Sequence, residues 1–115
     1  MPSVIEPCGL SQMIAMSYGT LPLVREAGGL RDSVSPYNKY DKTGDGFSFS
    51  NINAHDLLYT LRMACDIYHN NQKDWKLLQR NAMVKDFSWD VSSHSYLDLY
   101  KSLNPYGRPA SEKFK

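Results

Sequence analysis

Only two cysteines, Cys8 and Cys65, occur in 115 residues, far apart and outside any paired motif. A disulfide framework needs more, so the chain is suited to a reducing cytoplasm. No sign of charge predominates: thirteen Lys and Arg stand against twelve Asp and Glu, for a formal charge of +1. That leaves no electrostatic footprint for nucleic acid or an anionic membrane. Long apolar runs are missing as well. Met1-Pro2-Ser3-Val4-Ile5 has neither the basic start nor the apolar middle of a secretory signal, and no stretch approaches a membrane span. His55, His69 and His94 share no metal-ligand spacing, so no metal is expected. The expectation is a soluble cytoplasmic protein with neither nucleic acid nor membrane among its partners.

What is present suits a folded chain. An apolar fraction of 42% and an aromatic fraction of 12% can build a core, and the length allows one domain at most. Leu10, Met13, Ile14 and Ser17 predict a helix from about Gly9 to Tyr18, stopped by Gly19. Leu21 to Val24 reads as a short buried strand, and Gly28-Gly29 turns the chain into a short helix through Val34. Residues 35–45 are rich in loop formers, and Gly46 to Phe49 predicts a second strand. Asn53-Ala54-His55-Asp56 resembles a capping box with Asp in the place of Glu. It opens a helix to about His69, with Leu57, Leu58, Leu61, Cys65 and Tyr68 expected on its buried face. Further helices are expected over Asp74 to Val84, burying Trp75, Leu78 and Ala82, and over 89–103. In the last, Trp89, Tyr96, Leu99 and Leu103 fall at core spacing. Residues 104–115 read as a flexible tail.

This is the grammar of a parallel α/β sheet with a helix-rich C-terminal half. Yet two short strands cannot shield their own faces, whereas a doubly wound domain has five or six. Either the chain is a mainly helical domain, or it is part of a domain whose other strands lie upstream, and the pattern favours the second.

The stretch Glu6-Pro7-Cys8-Gly9-Leu10-Ser11-Gln12 is where chemistry concentrates. Pro7 fixes the backbone after an acid, Gly9 permits close approach, and a helix begins near Leu10 or Ser11. Free amides of a first helical turn favour an anion such as phosphate. A carboxylate beside them could hold sugar hydroxyls. Read on its own, the stretch is more simply an ordinary loop-to-helix cap with Glu6 in solvent.

The motifs that follow narrow the choice. Glu6 to Gln12, then Ala15-Met16-Ser17-Tyr18-Gly19-Thr20-Leu21-Pro22 and Val24-Arg25-Glu26-Ala27-Gly28-Gly29-Leu30-Arg31-Asp32, resemble the C-terminal portion of bacterial glycogen/starch synthases. The resemblance continues through Gly44-Asp45-Gly46-Phe47-Ser48-Phe49, Asn53-Ala54 and Asn81-Ala82-Met83 to Asp86-Phe87-Ser88-Trp89. It runs to about Leu103 in the family's order and spacing. It implies residues 1–103 as a partial C-terminal nucleotide-sugar-binding domain of a GT-B enzyme, two Rossmann-like domains facing across a cleft. Such enzymes transfer glucose from ADP-glucose to the non-reducing end of an α-1,4-glucan, with retention, using neither metal nor cofactor.

Carried over by position, the resemblance makes Glu6 the acid that contacts donor glucose. Cys8 and Gly9 become loop positions near that sugar, and Leu10 and Ser11 the helix start that meets the diphosphate. Val4-Ile5 depart from a common Arg-Phe pair, and Ser11 stands for the commoner Thr. Related retaining transferases often carry a second Glu eight positions after the first; here that position is Ile14, as expected of this family, so no second catalytic acid is assigned. The N-terminal domain with its lysine- and glycine-bearing loop is missing, as are the Arg and Lys that sit upstream in relatives and neutralise the diphosphate, so the chain alone is expected to be inactive. An alternative is a non-catalytic nucleotide- or partner-binding module, or a related transferase using another sugar nucleotide. Cys65 reads as a small core residue, and no adjacent base supports Cys8 as a nucleophile.

Overall fold

The computed structural model describes residues 1–104, which hold five helices and two short strands. The chain divides into two compact units, Met1–Lys85 and a second beginning at Asp86. In the first unit the order is α1 (Ser11–Ser17), β1 (Leu23–Arg25), α2 (Gly29–Ser33), β2 (Phe47–Phe49), α3 (Ala54–Asn70) and α4 (Gln72–Val84). The second holds α5 (Trp89–Leu103). The expected flexible tail falls, from residue 105 onward, outside the described residues.

Strands β1 and β2 pair in parallel, with Leu23 opposite Phe47, Val24 opposite Ser48 and Arg25 opposite Phe49. Two parallel strands need a crossover, and α2 lies within it. Gly19 ends α1 as expected. Its φ of +74° closes the helix, with Gly19 N–H donating to Met16 O and Thr20 N–H to Ala15 O, both at 2.9 Å. Helix α4 then clasps that turn, since Gln79 Nε2 donates to Gly19 O at 2.8 Å.

The core gathers where the strands meet α3 and α4. Phe47, Ala64, Ile67 and Leu78 are buried together, with Leu21, Leu23, Tyr37, Met63 and Trp75 packed around them. Trp75 stacks on Phe47 at 6.0 Å, and Tyr37 meets the same ring edge-on at 6.3 Å. Full burial of a side chain such as Phe47 or Leu78 contributes roughly 1.5–3 kcal/mol, which makes this cluster the anchor of the unit.

Helix α3 is where the sequence reading needs correction. Its cap is as expected, the Asn53 side chain accepting Asp56 N–H at 2.8 Å, but the box is only half formed. The Asp56 carboxylate instead accepts from Asn51 Nδ2. The face turned to the core is Thr60, Ala64 and Ile67, with Met63 beside them. Leu58, Leu61, Cys65 and Tyr68, expected inside, are exposed, and Leu57 is half-buried. The physical reason is size. Small Ala64 and Thr60, whose hydroxyl returns to Asp56 O at 2.9 Å, let the helix approach the sheet, and the larger side chains are left on its flank.

Trp75, Leu78 and Ala82 of α4 do turn inward, Trp75 only partly. Helix α5 buries none of its residues, and Trp89, expected in a core, is 76% exposed. Ser88 sits at its N-cap without a side-chain cap bond, and donates its N–H to Asp86 Oδ1.

Two polar knots tie residues 35–45 to α4. Asp74 Oδ2 accepts from Tyr37 Oη at 2.5 Å, Lys42 Nζ at 2.6 Å and Asn71 Nδ2 at 2.9 Å. Lys85 Nζ meets Asp45 Oδ2 and Ser33 O, each at 2.7 Å, and Ser35 N–H meets the other Asp45 oxygen. The hydrogen bond from Lys42, then that from Tyr37, holds the Asp74 carboxyl below its ordinary range. A depressed carboxyl pKa stabilises the fold above the unfolded value, and that stability is lost as pH falls through the folded one. Asp74→Asn is therefore expected to lower the melting temperature by several degrees at pH 7. Thermal melts across pH should show the gap closing below about pH 4; a gap independent of pH would contradict the knot.

Candidate functional site

The Glu6–Ser11 loop is positioned from three directions. First, the segment before it lies along β1. The Met1 amine donates to Leu23 O at 2.7 Å, and Arg25 N–H donates to Met1 O at 3.0 Å. The Arg25 guanidinium then holds Val4 O at 2.8 Å, Ser3 O at 3.2 Å and Ser50 O at 3.2 Å. A planar fork suits three converging carbonyls.

Second, the β1–α2 turn presses flush against the loop. Gly29 N–H donates to Glu6 O at 3.2 Å. A Cβ on Gly28 would lie 1.9 Å from Glu6 O, and one on Gly29 only 2.2 Å from Cys8 O. Gly28 also has φ +47°, which side chains disfavour. Both positions need glycine, and the Gly28-Gly29 pair is thereby a seat for Glu6-Pro7-Cys8 rather than only a turn.

Third, Gln12 fastens the loop from inside. It is 1% exposed, and its Nε2 reaches Gly9 O at 2.8 Å, Cys8 O at 3.1 Å and Ser33 Oγ at 3.0 Å. Ser33 in turn donates to Gly29 O at 2.6 Å, so one polar chain links the loop, α1 and α2. Gln12 Oε1 is left without a partner among the described residues. Sequence reasoning passed over Gln12, Arg25 and Ser33. The spacing of Leu10, Met13 and Ile14 pointed to the opposite side of α1, where Leu10 and Ile14 are in fact exposed, so the pattern gave no signal for Gln12.

What this scaffold presents is a small polar surface. Glu6 is half-buried and its carboxylate has no protein partner among the described residues. Cys8 is exposed, its thiol lying 3.6 Å from Gly9 O, and Gly9 is half-buried. Leu10 sits at the N-cap of α1 and supplies no side-chain cap, and Ser11 opens the helix in an exposed position. No acceptor takes the N–H of Leu10, Ser11, Gln12 or Met13 among the described residues. All five expected site residues are thus neighbours on one loop, with an acid at one end and unpaired amides at the other.

Several of the surrounding charges are otherwise engaged. Residues 1–24 contain no Lys or Arg. Arg25 is committed to backbone carbonyls and Lys85 to Asp45. Glu26, at the end of β1, accepts from Ser48 Oγ at 2.7 Å and Ser50 Oγ at 3.0 Å. The Ser48 bond first, then the Ser50 bond, holds its carboxyl below the usual range. Glu26 therefore splices the two strand ends and leaves Glu6 as the acid facing outward.

Gly28→Ala is expected to cost on the order of 2 kcal/mol in urea unfolding, because backbone must move to admit the methyl. An unchanged unfolding midpoint would show that the loop does not rest on this turn.

No family model matches the chain. The glycogen synthase of Streptococcus mutans is 61% identical to it over 103 residues, and that of Lachnoclostridium phytofermentans 52% identical. Each alignment takes in 90% of this chain and 22% of the relative, so the chain spans about a fifth of their length. Among solved structures, the catalytic domain of starch synthase IV from Arabidopsis thaliana, bound to ADP and acarbose, matches with a TM-score of 0.74 at 38% identity. That match covers 88% of this chain and 21% of the other. The parallel strands and helix-rich C-terminal half expected from the sequence are those of a Rossmann-like GT-B portion. Over the matched residues, the chain belongs to the glycogen and starch synthase family.

Proposed function

We propose that residues 1–103 form part of the C-terminal nucleotide-sugar-binding domain of a retaining glucosyltransferase. The whole enzyme would move glucose from ADP-glucose to the non-reducing end of an α-1,4-glucan in the cytoplasm, without metal or cofactor. The observation that carries this reading is the Glu6–Ser11 loop itself. It is rigidly seated, yet its acid and its amides are left without protein partners.

The roles are those the family resemblance implies, and the geometry supports them. A carboxylate only accepts hydrogen bonds, so Glu6 takes them from hydroxyls of the donor glucose and fixes that ring. Cys8 and Gly9 border the same sugar, Cys8 through its backbone. The amides of Leu10 and Ser11, with the Ser11 hydroxyl, donate to the diphosphate. As the glycosidic bond breaks, negative charge grows on the nucleotide diphosphate, and fixed donors stabilise it without reorganising. Those donors are neutral, and residues 1–24 bring no cation. The charge that neutralises the diphosphate would come chiefly from chain outside the 103 matched residues, so these residues form one wall of the site.

Two outcomes test the reading. In a Streptococcus mutans synthase carrying this chain's 103 matched residues, Glu6→Ala should cut glucose incorporation into glycogen by about 100-fold or more. Activity within a few-fold of the parent would remove Glu6 from the site. The isolated 115-residue chain should show no transfer from ADP-glucose, and measurable turnover by it would contradict the one-walled site.

A further inference from the structure

A cleft of about 1140 Å³ opens between residues 36–43 and one flank of α3, in a part of the Met1–Lys85 unit that the donor site does not use. Tyr40 stands on the loop side, 82% exposed, and Tyr59 on the helix side, 73% exposed. Neither hydroxyl has a protein partner among the described residues. A fixed turn holds Tyr40 out in solvent. Asn38 Oδ1 accepts Tyr40 N–H at 2.9 Å, Asn38 N–H donates to Thr43 O at 2.9 Å, and Lys42 Nζ is tied to Asp74. A large ring presented on a held backbone is a preorganised platform.

The cleft lies away from the donor loop and from the sheet edge that can be extended. Residues 36–43 lead into the start of β2, whereas Gly28-Gly29 leave the end of its parallel neighbour β1. The two sites therefore belong to opposite ends of the strands. At its start, the outer edge of β2 is taken by this chain's own Pro36, which bridges to Gly46, and by Tyr37 N–H, which donates to Gly46 O at 2.9 Å. Extension is left to the β1 side, where Met1 already makes backbone bonds.

Its chemistry fits an uncharged polyol rather than an anion. Lys42 is paired with Asp74, and the other lining charges, Lys39 and Asp66, are opposite in sign. The two tyrosine rings offer flat apolar surface to the C–H face of a pyranose. Lys39 can donate to sugar hydroxyls, and Asp66 can accept from them through Oδ2, since only Oδ1 is taken, by Asn70 Nδ2. The volume exceeds what one small ligand needs, which suits successive sugars of a chain. We propose that this cleft is a second, non-catalytic site for an α-1,4-glucan, holding the acceptor polymer apart from the end being extended. This rests on the synthase reading above and adds a further grip on its acceptor. A polymer held at two places is bound more tightly than at either alone.

Replacing both tyrosines, Tyr40→Ala with Tyr59→Ala, in the Streptococcus mutans chimera tests it. Both side chains are exposed, so the melting temperature should stay within a degree or two of the parent's. The KM for glycogen should rise about tenfold. kcat, and the KM values for maltotriose and ADP-glucose, should not change, because so short an acceptor reaches only the catalytic cleft. In gels containing glycogen, the Ala pair should be retarded less than the parent, whereas the Glu6→Ala chimera should be retarded equally. The corresponding Phe pair, which keeps both rings, should behave as the parent in both assays. An unchanged KM for glycogen in the Ala pair, or equal rises for glycogen and maltotriose, would overturn the second site. Failure of Glu6→Ala to transfer glucose while the Ala pair binds glycogen like the parent would sink this inference alone and leave the donor-site reading standing. An active Glu6→Ala chimera beside an Ala pair that loses its retardation would do the reverse.

Discussion

The close approach of the Gly28-Gly29 backbone to Glu6-Pro7-Cys8 governs the rest of the structure. Side chains at those two positions would sit 1.9 Å and 2.2 Å from carbonyl oxygens. Without the approach, Gly29 N–H could not reach Glu6 O, nor could Ser33 and Gln12 link α2 to Gly9. The loop would then be a mobile strap with an acid on it. With the approach, the acid and the first amides of α1 are held by backbone, which adjusts little when a ligand arrives. Preorganisation of this kind lowers the cost of binding and of charge development.

The rest of the Met1–Lys85 unit supports that seat. Parallel pairing of β1 with β2 fixes the start of the β1–α2 turn, and Glu26 splices the strand ends through two serine hydroxyls. Asp74 and Asp45 then hold residues 35–45, the long connection between α2 and β2, against the two ends of α4. Both knots use a poorly exposed carboxylate with several donors, the arrangement in which a charge is tolerated away from water. Removing one partner leaves the others unpaired.

Much of this was legible in the residues, though unevenly. Gly19, Asn53, the apolar run ending at Val24 and the alternation at Gly46 to Phe49 announce their elements through local chemistry, and the structure places them accordingly. The motif series pointed to the right family from its spacing. What local reading missed depends on long-range packing. Periodicity put the bulky residues of α3 inside, yet its small residues face the sheet and Leu61, Cys65 and Tyr68 are exposed. Helical spacing in α5 similarly suggested a core that its exposed residues do not form. The roles of Gln12, Arg25 and Gly29 were illegible because each acts on backbone atoms that no sequence pattern records.

The central claim is that Glu6 holds the sugar while the start of α1 holds the phosphates. The most direct measurement is calorimetric titration of ADP and of ADP-glucose into the chimeric synthase, with Glu6 and with Glu6→Gln. If the assignment is right, Glu6→Gln leaves ADP affinity unchanged and weakens ADP-glucose, so that the sugar's own contribution is lost. Equal weakening of both ligands, or of neither, would contradict it.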